Sequence, residues 1–217
     1  MRGFISFYRK RILRITEFLV IFLIVPILLF TKVIDVSFFP ILLLGAIIFL
    51  IQLIRDPSFR LKRLWNWGKA RKSIGRIFLY FVPVALLMTL VVYFWEPDHL
   101  FYLPRNHPWL WLGLLVSYPL FSVIPQNIAF RAFFVHRYRK LFQSNSTIIL
   151  ASAAMFAFGH IIFHNWLAVI LTFIGGILFT KRYIETKSLV ASVIEHSLYG
   201  VWLFTCGLGM FFTEQVV

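Results

Sequence analysis

The sequence predicts an all-α protein, a polytopic membrane bundle of about seven spanning helices with its N-terminus on the cytoplasmic side. Three observations lead there. Of 217 residues, 60% are hydrophobic and 14% charged, which leaves too little polar surface to clothe a soluble domain. The apolar residues fall in long runs, most of them near the ~17–25 residues that a helix needs to cross hydrocarbon. Lys and Arg gather between alternate runs, as the positive-inside rule requires.

The runs place helices near residues 15–31, 36–54, 77–95, 109–134, 147–163, 166–180 and 188–206. Before the first, Arg9, Lys10, Arg11 and Arg14 resemble the basic start of a secretory signal. No small-residue cleavage pattern follows Phe30 and a second span comes soon after, so the expectation is a retained helix. The fourth run is long and holds Pro125, predicting a kink just before Gln126 and Asn127. The sixth is short. With the N-terminus inside, the inner segments hold five basic residues (1–14), eight (55–76), three (137–140) and three (181–187). The outer segments hold Lys32 and Arg105, and Arg131 lies within a span. Removing any one span would spoil this bias.

The formal net charge of +14 raises the question of nucleic acid, which needs a basic face on a soluble fold. Here the charges flank apolar runs, so membrane lipids are the expected partners and nucleic acid is not. The segment 55–76 interleaves basic residues with Trp65 and Trp67. It reads either as an element lying on the inner leaflet or as an ordinary loop. The single cysteine, Cys206, excludes an intrachain disulfide. No repeat or low-complexity tract divides the chain, so residues 1–217 are expected to form one integral membrane domain.

Polar side chains inside spans are costly and mark function. They are Gln126, Asn127, Arg131, His160, Glu195 and His196, all after residue 120; the first three spans hold nothing comparable apart from edge residues such as Glu17. At a rise of ~1.5 Å per residue, Asn127 lies ~22 Å from the inner boundary, His160 ~20 Å, Arg131 ~16 Å and His196 ~12 Å. Helices four, five and seven therefore have the means to bring them together near mid-membrane. Asn127 and Arg131, spaced i, i+4, share a helix face.

The run Gln126-Asn127-Ile128-Ala129-Phe130-Arg131 resembles the first motif of the CAAX-protease and bacteriocin-processing family of intramembrane peptidases: two glutamates, then arginine. Phe156-Ala157-Phe158-Gly159-His160 resembles the second motif, and His196 the histidine of the third. The resemblance covers about 110–212, leaving 1–108 as an N-terminal three-helix portion. It implies an endopeptidase acting on membrane-associated or prenylated peptides, such as a bacteriocin precursor. In that family a glutamate and the second-motif histidine activate water, while the third-motif histidine and an asparagine four residues on stabilise the oxyanion. Carried over, Gln126 and Asn127 stand at the glutamates, Arg131 positions, His160 holds the water or acts as base, and His196 is the oxyanion donor. Family habit and compactness point to a bacterial inner membrane.

Two positions depart from the pattern. Both glutamates are amides, which accept no proton at physiological pH, and the expected asparagine is Gly200. Loss of the base lowers the rate by about 10²–10⁴. Three readings stay open: His160 serves alone, Glu195 substitutes from ~100° around the helix, or the chain is a catalytically silent relative. That last reading includes a noncatalytic, immunity-type binding protein; a small transporter is a further alternative. Structural readings stand beside these. Arg131 snorkels inward, and Glu195–His196 joins helices. Gly175-Gly176 permits close helix contact. His160 and His164 have the spacing of two ligands of a divalent metal, but no glutamate follows His160 as in zinc peptidases, so no cofactor is expected.

Overall fold

A computed structural model describes residues 2–212, with side chains from Arg11 onward, so the charges of Arg9 and Lys10 and the last five residues lie outside the described set. Among the described residues there is no strand, and seven helices are long and apolar enough to span a bilayer. They are α1 (Arg11–Phe30), α2 (Phe38–Arg55), α3 (Trp67–Trp95), α4 (Pro108–Leu141), α5 (Asn145–Phe163), α6 (Trp166–Thr186) and α7 (Leu189–Cys206). The protein is an integral membrane helical bundle. Large apolar side chains such as Leu44, Leu79, Leu86, Trp109 and Ile174 face outward, as they must where the solvent is acyl chain.

Several helices run past their expected ends; α1 begins by Arg11 and α4 continues to Leu141. α3 begins at Trp67, so the basic residues from Lys69 to Arg76 ride on its first turns. Only the stretch before it, with a 3₁₀ turn at Leu61–Arg63, is a loop. α6 continues to Thr186 and carries Lys181 and Arg182 within the helix. Charge alone does not stop a helix when the side chain finds water or a partner. The turn between Asp56 and Ser58 is tied to α4 by His136, whose Nε2 lies 2.8 Å from Asp56 Oδ2. Hydrogen bonds from Ser58 and then His136 hold the Asp56 carboxyl well below its usual range.

The break expected at Pro125 takes the form of two wide turns. π-helical stretches at Pro119–Val123 and Ile128–Phe133 flank a single α turn, Ile124–Asn127. Proline removes one backbone donor and crowds the preceding turn, and an extra residue in the turn relieves this. Such bulges recur at functional sites, and here they re-aim the side chains from Gln126 to Arg131. A similar π stretch, Val20–Ile24, precedes Pro26 in α1.

Caps fix the later helices. Ser144 and Thr147 form a reciprocal capping box at α5, Asn165 accepts from Leu167 and Ala168 at α6, and Ser188 accepts from Ala191 at α7. The α5–α6 contact is close because of Gly176: a Cβ there would stand 2.8 Å from Ala153 Cα. We expect Gly176→Val to force these helices apart and cost about 1–3 kcal/mol, visible as a lower melting temperature in detergent.

Candidate active site

The site is organised around one ring, Phe156 of α5. Arg131 of α4 lies with its guanidinium carbon 4.0 Å from the Phe156 centroid. His160, one turn on from Phe156, sits 4.7 Å away, and His196 of α7 meets the same ring edge-on at 5.5 Å. His196 also stacks on Phe179 of α6 at 4.4 Å, and Arg131 lies 5.4 Å from that second ring. Arg131, His160 and His196 are thus brought together, buried at 0%, 9% and 5% exposure. Arg131 does not snorkel.

Hydrogen bonds define the protons. Asn127 Nδ2 lies 2.8 Å from the Val123 carbonyl, which only accepts, so this end of the amide is the donor. The same nitrogen is 2.9 Å from His196 Nδ1, which must therefore accept. His196 is held as the neutral tautomer with its proton on Nε2, a donor. Asn127 Oδ1 receives the Ser192 hydroxyl at 2.7 Å. His160 is the complement: its Nδ1 donates to the Phe156 carbonyl at 2.7 Å, leaving the Nε2 lone pair as an acceptor. One histidine can take a proton and the other can give a hydrogen bond.

The remaining polar groups sort clearly. Gln126 donates to Ser122 at 2.8 Å, while its Oε1 has no partner. Among the described residues none of the three Arg131 nitrogens has a hydrogen-bond acceptor; the cation lies against aromatic faces. Glu195, 1% exposed, forms a two-pronged ion pair with Arg182 of α6 at 2.8 and 3.0 Å. It is committed to holding α6 to α7, so it pairs with Arg182 and not with His196, and it is not free to act as a base. Sequence reasoning assigned Arg182 to the inner loop and missed this pair. The signal was present: counting from the turn at Lys187-Ser188, Arg182 and Glu195 fall at similar depth, and a buried carboxylate requires a partner.

His164 stands apart. It closes the 3₁₀ turn Gly159–Phe163 in left-handed conformation (φ 51°) and stacks on Phe30 at 4.4 Å. Among the described residues no three His, Cys, Asp or Glu side chains converge as a metal set would.

Gly200 has a neighbour that explains it. A Cβ there would overlap the phenol of Tyr118, whose ring meets His196 edge-on at 6.5 Å. Tyrosine occupies space beside His196 that an asparagine side chain on α7 would need. We expect Gly200→Asn alone to lower the melting temperature, and Tyr118→Ala combined with it to restore most of the loss, a non-additivity that marks direct contact.

An apolar groove of about 340 Å³ leads to the site. It lies between α1 and α2, walled by side chains such as Phe22, Val25, Ile41 and Phe49, and reaches Gln126 and His160 on α4 and α5.

Comparison with known families finds a match. The model of the family described as type II CAAX prenyl endopeptidase Rce1-like matches residues 108–202. The matched stretch is similar to an Rce1-like domain, consistent with the CAAX protease family. It starts where α4 starts and spans Gln126, Asn127, Arg131, His160 and His196. Searches of curated proteins and of solved structures return no match.

Proposed function

We propose that the chain is a peptide-binding member of the CAAX protease family in which the hydrolytic step is impaired. The lipid part of a membrane-associated or prenylated peptide lies in the groove between α1 and α2, with the peptide backbone passing His160 and His196. The groove is lined mainly by apolar side chains, with Gln52, Gln126 and His160 as its polar members, a mixture that suits a lipidated peptide. His196 Nε2–H and the Arg131 cation stabilise negative charge on a bound carbonyl.

One observation carries the impaired step. Where a carboxylate would activate water, Asn127 is fully engaged by Val123, His196 and Ser192, Gln126 is an amide, and Glu195 is sealed by Arg182. Among the described residues His160 Nε2 is left as the candidate base. A site so built holds a peptide and turns it over about 10²–10⁴ more slowly than one with the carboxylate.

Binding is tested by occlusion. Gly45 lines the groove and has open space before Phe49, so Gly45→Phe fills it. A fluorescent prenylated peptide should bind the reconstituted protein, and the variant should weaken binding by about tenfold or more. Equal affinity for the prenylated and unprenylated peptide, or no change in the variant, removes the groove from the account.

A further inference from the structure

A second cavity, of about 280 Å³, lies at the opposite end of the bundle from the groove's outer helix ends, where α4 finishes, α5 begins and α6 turns into α7. The charge bias assigns this side to the cytoplasm. Three permanent cations line it, Arg63, Arg139 and Lys187, together with His136 and the phenol of Tyr183. Among the described residues no carboxylate lines it. Asp56, the nearest acid to this cluster by hydrogen bonding, is occupied by His136 and Ser58, and Glu185 is turned to Arg76 and Lys181.

Two donors in the cavity are buried. Tyr183 is 2% exposed; its hydroxyl and Arg63 Nε are buried with no well-formed hydrogen bond, the Arg63 guanidinium being the group that faces the phenol. Such groups are rare because each forfeits its hydration. Arg139 is different: it is braced by the carbonyls of Phe142 and Ser144 and by Asn145 Oδ1, at 3.3, 3.2 and 3.0 Å. Those acceptors are neutral, so the guanidinium is fixed in place and its charge stays uncompensated. Lys187 is set by a left-handed turn (φ 51°), its carbonyl within 3.5 Å of Asn66.

We propose that this cavity binds the phosphate of an anionic phospholipid headgroup from the inner leaflet. Cations and hydroxyl donors without a counter-anion form an anion receptor, and basic pockets between helices on the cytoplasmic side are where such headgroups seat. A membrane lipid fits better than a soluble anion because Val135 and Ile184 complete the wall, giving apolar surface to the glycerol and first acyl carbons. Tyr183 and Arg63 ligate the phosphate; Arg139 and Lys187 supply the field. The site is independent of the Phe156 cluster and of the proposed peptide binding.

The test uses the full chain in nanodiscs. In phosphatidylcholine alone the melting temperature sets the baseline. Adding phosphatidylglycerol should raise it, and native mass spectrometry should find one anionic lipid retained per chain. Inorganic phosphate added to phosphatidylcholine discs should do neither. Arg63→Gln and Tyr183→Phe should each weaken lipid retention by about tenfold or more, while Lys69→Gln, an exposed charge outside the cavity, should not. Tyr183→Phe removes only a hydroxyl whose one neighbour is the Arg63 guanidinium, with no well-formed hydrogen bond to lose, so its baseline melting should stay near the native value. An equal effect of inorganic phosphate, or undiminished retention in the Tyr183→Phe protein, overturns the proposal.

Discussion

Replacing Arg182 with methionine should destabilise the protein by about 3–5 kcal/mol, the largest loss expected of any single substitution here. The pair it forms with Glu195 is 6% and 1% exposed and bonded through two oxygens. Removing the cation leaves a carboxylate in a dry interior with no compensating charge. The double variant Arg182→Met, Glu195→Leu should recover most of that loss, since both desolvation penalties vanish together. Thermal unfolding in detergent reads both. If the single variant melts near the native temperature, the pair is not what joins α6 to α7.

Restoring a carboxylate at Gln126 should raise peptide hydrolysis by about 10²–10⁴. The substitution is nearly isosteric and the site tolerates it. Gln126 Oε1 has no partner to lose, and the nitrogen that now donates to Ser122 becomes an oxygen able to accept from that hydroxyl. Gln126 and His160 both face the groove, so the new base stands beside the histidine with the free lone pair. Asn127→Glu should do less. It breaks the bonds to Val123 and His196 and so unfixes the tautomer that makes His196 a donor. Rates for the two variants on one prenylated peptide, followed by mass spectrometry, separate the positions. A larger gain at 127 than at 126 would reverse the assignment.

Most of the bundle was legible in composition and spacing, because a bilayer admits few solutions for a chain this apolar. What escaped were the places where a side chain found an unforeseen partner. The end of α6 was placed six residues early since Lys181 and Arg182 looked like loop charges, yet Arg182 turns inward to Glu195. The start of α3 was placed late for a related reason, as Lys69 to Arg76 reach water from a helix surface. The convergence of Arg131, His160 and His196 followed from depth along three helices, and Phe156 is where they meet. The role of Asn127 was not legible. Its three bonds depend on π turns at Pro119–Val123 and Ile128–Phe133 that proline suggests but does not locate. Gly200 read as a missing asparagine, and only the Tyr118 phenol beside it gives a physical reason.

The fate of a bound peptide tests the account most directly. Native protein in nanodiscs, held with a prenylated peptide under single-turnover conditions, should retain that peptide intact over the time in which the Gln126→Glu protein cleaves it. His160→Ala should abolish the cleavage that Gln126→Glu introduces. Cleavage by the native chain at the rate of the Gln126→Glu protein would contradict the claim that the amides at 126 and 127 leave this site a binder first.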